Sequence, residues 1–219
     1  MKSLALLIIA AMLSMAGIAG ATTYTLFPTA DGDVQTWGGD SIDTTDTRIS
    51  LTQSGGLIRN GILEFDLSSI PDSATINSAT LEFTMTSVVS NTGGNPAAID
   101  IFAYNGDGVV DIADYAAAGT QVADTTIPNG GSTGDVHSFS LSPVAPVVSA
   151  LSSDLLTLRI ETDSFATFSF ASLENTIHDA ARLKINYVPE PTSAMLLGIA
   201  ALVGSCCRTR QRPAKPQGV

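Results

Sequence analysis

Polar and apolar residues alternate with a period of two through the middle of this 219-residue chain. Thr80-Leu81-Glu82-Phe83-Thr84-Met85-Thr86 is one such stretch, and Leu156-Thr157-Leu158-Arg159-Ile160-Glu161 is another. Successive side chains of an extended strand point to opposite faces, so this pattern buries one face and wets the other. Similar segments occur at residues 24–27, 48–52, 61–67, 98–104, 137–141, 167–171 and 182–188, about nine strands in all. Turn-rich stretches separate them, among them Ser54-Gly55-Gly56, Asn91-Thr92-Gly93-Gly94-Asn95-Pro96 and Pro128-Asn129-Gly130-Gly131. The spacing predicts an all-β fold, an antiparallel sandwich rather than βαβ units. Only Pro143 to Leu151 and Ala113 to Ala118 read as helical, and both are short.

The two ends differ from this body. Met1 to Ala21 has a positive start at Lys2, a mostly apolar run from Leu4 to Met15, and the small-residue cleavage pattern Ala19-Gly20-Ala21. It reads as a secretory signal peptide, with an uncleaved anchor as the alternative. The far end, residues 189–219, carries Pro189-Glu190-Pro191, an apolar run from Ser193 to Cys207, and then Arg208, Arg210, Arg212 and Lys215. Positive charge after the run predicts an N-out, C-in topology, which delivers the body outside the inner membrane. Fifteen residues make a helix of about 23 Å, short against a hydrocarbon core of about 30 Å. The proline-glutamate-proline box, short apolar helix and arginine cluster resemble, in that order, the PEP-CTERM sorting signal of Gram-negative bacteria. That resemblance implies recognition and processing by a membrane enzyme of the exosortase type. An ordinary tail anchor would give the same orientation without the box.

Between these ends, residues 22–188 hold 20 acidic side chains against Arg48, Arg59, Arg159, Arg182 and Lys184, a net charge of −15. Such a body repels nucleic acid and anionic lipid and attracts divalent cations. Neither cysteine lies in it, since both are the pair Cys206-Cys207. The domain is therefore held by its core and not by a disulfide framework.

Within the body, residues 59–83 contain Phe65-Asp66-Leu67-Ser68-Ser69-Ile70-Pro71 followed by Ala74-Thr75-Ile76 and Ser78-Ala79-Thr80-Leu81. This segment resembles the core of the DNRLRE-type domains of bacterial surface proteins, with looser support from Asp31 to Asp33 and from Leu155 to Ile160. The resemblance implies a single jelly-roll β-sandwich related to carbohydrate-binding modules, with adhesive, matrix or glycan-binding roles and no shared chemistry. In this reading Ile62 to Phe65 form a core strand. Asp66 to Pro71 leave it through a turn capped by Ser68 or Ser69, and Ala79 to Met85 return as the neighbouring strand.

Several small motifs invite chemistry. Gly130-Gly131-Ser132-Thr133-Gly134 matches the nucleophile-elbow pattern, but a strand and not a helix follows it, so the serine is not expected to be presented for catalysis. His137 and His178 are the two histidines, and neither has a second ligand at zinc spacing. Asn105, Asp107, Asp111 and Asp114 fall on positions 3, 5, 9 and 12 of a calcium loop with Gly108 at position 6. Ala103 stands at position 1, so these candidate ligands predict at most weak calcium binding, roughly 10⁻⁴ to 10⁻³ M; a plain turn capping a short helix is the alternative. Asp31, Asp33, Asp40, Asp43 and Asp46 surround Trp37 in what reads as a loop rich in glycine and threonine. An exposed tryptophan beside acceptors is a sugar-stacking platform, so Trp37 is the candidate glycan residue, with core packing as the alternative.

No nucleotide-binding glycine loop, Cys-His pair or lysine base stands out. Together these readings predict an exported, non-catalytic protein of the cell surface or extracellular matrix, with no cofactor beyond weak calcium. A module that binds or hydrolyses polysaccharide is the competing expectation.

Overall fold

A computed structural model of the chain describes residues 20–36, 39–92, 94–162 and 165–190. The elements below belong to the compact unit Ala21–Val188. Trp37, Ala19, Pro191, Arg208, Arg210, Arg212, the cysteine pair and the two apolar end segments lie outside the described residues. Among the described residues no helix is long and apolar enough to cross a membrane.

The first strands are β1 (Thr22–Leu26), β2 (Ala30–Gln35), β3 (Ser41–Asp43), β4 (Arg48–Ser54), β5 (Leu57–Asp66) and β6 (Thr75–Thr84). They are followed by β7 (Ser90–Asn91), β8 (Ala97–Asn105), β9 (Thr120–Ile127), β10 (Val136–Leu141), β11 (Leu155–Glu161), β12 (Ala166–Ala171) and β13 (Arg182–Val188). One sheet has the order β1-β13-β6-β10. The other has the order β7-β12-β4-β5-β11-β8-β9, with β2 added to β5 and β3 to β2. Neighbouring strands in both sheets run antiparallel. The fold is all-β and sandwich-like, as the period-two pattern predicts.

Local chemistry accounts for the tightest connection. β4 and β5 are joined through Gly55 and Gly56, with Ser54 opposite Leu57. Both glycines have positive φ, 59° and 96°, which a two-residue hairpin turn requires and which other residues adopt at a cost.

Two expectations for residues 59–83 need correction. β6 is not the neighbour of β5: β5 pairs with β2, β4 and β11, whereas β6 lies in the other sheet between β13 and β10. The chain crosses between sheets through the 67–74 connection, which buries Leu67, Ile70 and Ala74 in the core. The cap is Asp66, whose Oδ1 accepts the Ser68 amide at 2.8 Å, and not a serine hydroxyl. Its short side chain reaches the amide two residues on, the usual advantage of aspartate over serine in a turn. These backbone and hydroxyl contacts from Ser68 hold the Asp66 carboxyl below its ordinary range.

Among the described residues the nine expected strands are present, and four more accompany them. β2, β3, β7 and β9 carry too few large apolar residues to stand out in the sequence. The two helical stretches are shorter than expected: α1 covers Ala145–Ala150 and a single 3₁₀ turn covers Ile112–Ala116. α1 packs against β6, β8 and β11, burying Val147 and Ala150.

The main core joins the inner faces of both sheets. Leu81 and Phe83 of β6, Leu183 and Ile185 of β13, Leu63 and Phe65 of β5, Leu156 and Leu158 of β11, and Phe168 and Phe170 of β12 are all buried in it. Phe83 stacks on Phe170 with ring centroids 4.4 Å apart, and Phe139 lies 5.1 Å from Phe83. A bridge between Met85 and Phe170 links the two sheets here.

β5 is buried on both faces. Leu63 and Phe65 face the main core, while Ile62 joins Val34 and Val110 in a second, smaller core with Ala30 and Tyr115 packed against it.

Candidate functional site

The connection between β8 and β9 folds over the face of β5 that is turned away from the main core. It carries three of the four candidate calcium residues, Asp107, Asp111 and Asp114, and gives each of these carboxylates a structural task. Asp107 Oδ1 accepts the Val109 amide at 3.0 Å, while Gly108 takes φ 87°. Asp111 caps the 3₁₀ turn by accepting the Ala113 amide at 2.7 Å, and Asp114 Oδ2 accepts the Asp111 amide at 2.9 Å, which completes a capping box. Asp114 is buried, and its Oδ1 accepts the Tyr104 hydroxyl at 2.8 Å. Burial first, and this carboxylate second, push the Tyr104 phenol up. Asn105 ends β8 and is exposed, and Ala103 is a buried core residue. Among the described residues no group of three or more His, Cys, Asp or Glu side chains converges as a metal centre would need.

Beneath the loop lies a buried polar layer that sequence reasoning missed. Glu64, fully buried at the centre of β5, accepts the Thr157 hydroxyl on Oε1, and its Oε2 has no hydrogen-bond partner. Burial raises its pKa, the Thr157 bond opposes this, and Asp114 and Asp107 add to the rise. Arg159 pairs with Glu161, donates to the carbonyls of Asp114 (3.2 Å) and Ala117 (2.6 Å), and sits 4.9 Å over the Phe102 ring. The guanidinium therefore fastens the loop to the sheet. The available signal was that Glu64 and Arg159 each stand between two large apolar residues, Leu63 and Phe65 or Leu158 and Ile160, within a predicted strand.

Asp31 and Asp33 are not loop residues, as the sequence suggested. They lie on β2, 3% and 4% exposed. Asp33 Oδ2 accepts the Ser50 amide at 3.0 Å, and its Oδ1 is 3.3 Å from Arg59. Asp31 Oδ2 accepts the Leu173 amide at 2.9 Å. Burial raises the Asp31 carboxyl to about 7, offset in part by the Leu173 bond and reinforced by Glu174. Burial also raises Asp33, against the Ser50 amide and Arg59. Gly32 between them is obligatory, because a Cβ there would stand 2.4 Å from the Asp43 carbonyl oxygen. Asp40 and Asp43 are exposed, and Asp43 Oδ1 closes its own turn by accepting the Thr45 and Asp46 amides.

The remaining candidates are structural where they are described. Gly130, Gly131 and Gly134 have positive φ, and Asp135 Oδ2 accepts the Ser132 amide at 2.7 Å in a turn that leads into β10. His137 lies beside Phe83 and Phe139, and burial lowers its pKa. Ala21, Pro189 and Glu190 flank the β body, with Ala21 exposed.

An open cleft of about 380 Å³ lies between the edge strands β9 and β10, lined by Asp124, Thr125, Ser138, Ser140 and Ser142 with Val122, Ala123 and Phe139. Its lining is rich in hydroxyls and has one carboxylate and no base. The Ser142 amide donates to the Val122 carbonyl at 2.6 Å, joining the two edges at one end.

Compared with known proteins, the sequence matches no family model and no curated protein.

Proposed function

We propose that this chain is an exported, non-catalytic protein of the cell surface or extracellular matrix, with a structural or adhesive role, processed through its C-terminal PEP-CTERM-like segment by an exosortase-type enzyme. The observation that carries the reading is where the β body begins and ends. Its first strand starts at Thr22 and its last stops at Val188, so the sheets occupy the interval between the Ala19-Gly20-Ala21 site and the Pro189-Glu190-Pro191 box. Paired prolines hold that box extended and open to a processing enzyme. Replacing Pro189-Glu190-Pro191 by three alanines, in a host that carries an exosortase, leaves a heavier precursor retained at the membrane. Equal masses and locations for wild type and variant would reduce the tail to a plain anchor.

The cleft between β9 and β10 favours a second reading, binding of a polysaccharide. Hydroxyls and one carboxylate suit the hydroxyl groups of an uncharged sugar chain, and a body of −15 charge disfavours an acidic one. Retention of the protein on neutral polysaccharide, lost in Asp124→Ala, is the expected result under that reading. A full set of neutral polysaccharides that retains nothing would remove it.

A further inference from the structure

Among the described residues the two sheets end in the outer strands β1, β3, β7, β9 and β10. An open edge invites pairing with another chain, and natural proteins blunt it by shortness, charge, a bulge or a cover. All of these strands except β1 are blunted. β7 has two residues, and β3 has three, one of them Asp43. β9 carries Asp124 and bulges at Val122, which is skipped between the pairs Ala123–Ile101 and Gln121–Phe102. β10 is fastened to β9 by the bond from the Ser142 amide to the Val122 carbonyl.

β1 has none of these devices. Thr22-Thr23-Tyr24-Thr25-Leu26 includes no charge and no proline, and it pairs with β13 without a break in register. All but Leu26 are exposed. Thr23 Oγ1 accepts from Asn186 Nδ2 at 3.1 Å, and Thr25 stands opposite Lys184, so both threonines lie on the outer face of the sheet. Tyr24 stands opposite buried Ile185, on the core side, and is 38% exposed at the open edge. Phe27, just past the strand, is 54% exposed.

Two observations say what pairs there. The first is charge. The body carries −15, yet neither β1 nor β13 holds an acid, and β13 brings Arg182 and Lys184 to this side of the sheet. Glu82, one strand further in, is matched by both. Two acidic copies therefore meet here with little repulsion. The second is symmetry. Thr23-Tyr24-Thr25 reads the same in both directions, and antiparallel pairing of one strand with its own copy is two-fold, so such a sequence is self-complementary.

We propose that β1 pairs with β1 of a second copy of this chain, antiparallel and centred on Tyr24, which joins the four-stranded sheets of the two copies into one continuous sheet. Tyr24 then meets the partner's Tyr24, Thr23 meets the partner's Thr25, and Thr22 meets the partner's Leu26. Main-chain hydrogen bonds supply the affinity, and the tyrosine pair covers surface that each copy alone leaves exposed. One short strand from each side makes a small seam, so the dimer is weak and reversible. It involves neither the sorting segment nor the cleft between β9 and β10.

The test is sedimentation equilibrium of the full-length protein in mild detergent, at about 0.15 M ionic strength and from about 1 to 100 μM. The protein mass should rise from that of one chain toward that of two. Tyr24→Lys and Tyr24→Glu each set like charges directly opposite one another and should each stay monomeric, whereas an equimolar mixture of the two should regain the dimer. That rescue separates a lost contact from a lost fold. With Cys206 and Cys207 replaced by serine, Tyr24→Cys should cross-link two chains under oxidation, and Ser138→Cys, on the opposite edge of the same sheet, should not. A monomeric wild type, a dimer that survives in Tyr24→Lys, a mixture that stays monomeric, or cross-linking at Ser138→Cys in place of Tyr24→Cys would each overturn the assignment.

Discussion

At the scale of single residues, the positions that matter most here are those where the backbone leaves no space. Gly32 lies in an ordinary strand, and its constraint is the Asp43 carbonyl oxygen 2.4 Å from where a Cβ would stand. Backbone cannot swing away like the end of a side chain, so Gly32→Ala must push β3 off β2. A loss of about 2 to 3 kcal/mol in denaturant-unfolding stability is expected, at the upper end of the usual cost of overpacking. A variant as stable as wild type would show that the hairpin adapts freely. Gly106 is constrained differently, since its Cβ would stand 2.2 Å from Glu64 Oε2. The glycine lets the loop backbone close over a buried acid.

At the scale of elements, the seam between the sheets is held by aromatic packing where β6, β10 and β12 meet. Phe170 is fully buried and stacked on Phe83, and its neighbours lie on strands of two different sheets, which cannot both collapse inward to fill a void. Phe170→Ala should therefore cost about 3 to 5 kcal/mol in chemical denaturation, the range for deleting a buried phenylalanine. The outer face of the first sheet is organised by charge instead. Glu82 accepts from Arg182 and Lys184, both at 2.8 Å, and the Lys184 bond is the main reason its carboxyl sits below the ordinary range.

At the scale of the whole molecule, the buried acids give stability a pH dependence of unusual sign. Asp31 has a folded pKa of about 7 against 3.8 unfolded; the folded state therefore binds the extra proton between these values, and stability falls as pH rises. The contribution is fully present below pH 3.8, declines through the interval and is gone above about 7, a span on the order of 4 kcal/mol. Asp33 and Glu64 are raised as well and add in the same direction. Asp43, Asp66 and Glu82 are lowered, so their stabilisation is lost as pH drops below the ordinary carboxylate range. Melting in chelator should thus be highest near pH 5 and clearly lower at pH 8, and Asp31→Asn should flatten that difference. A melting temperature that climbs steadily from pH 5 to pH 8 would contradict the burial of these acids.

The alternation in Thr80 to Thr86 and Leu156 to Glu161 determined by itself that this body is β, because side-chain direction along a strand is a local property of the backbone; it misread β11 as wet on one face, since Thr157 and Arg159 are buried there as well. The Pro128-Asn129-Gly130-Gly131 and Ser54-Gly55-Gly56 turns were equally legible, for the same reason. Which strands are neighbours was not. Ile62–Phe65 and Ala79–Met85 read as a hairpin yet lie in different sheets, since pairing depends on contacts far apart in sequence that alternation does not encode. Nor could the sequence tell a strand from a loop at Ala30–Gln35, where Asp31 and Asp33 made a core-side segment look like solvated turn. Only the tertiary structure decided that these acids are buried and that Glu64 lies under the 105–114 loop. Burial is set by what packs against a residue from elsewhere in the chain, here Leu173, Ser50 and the Gly106 backbone.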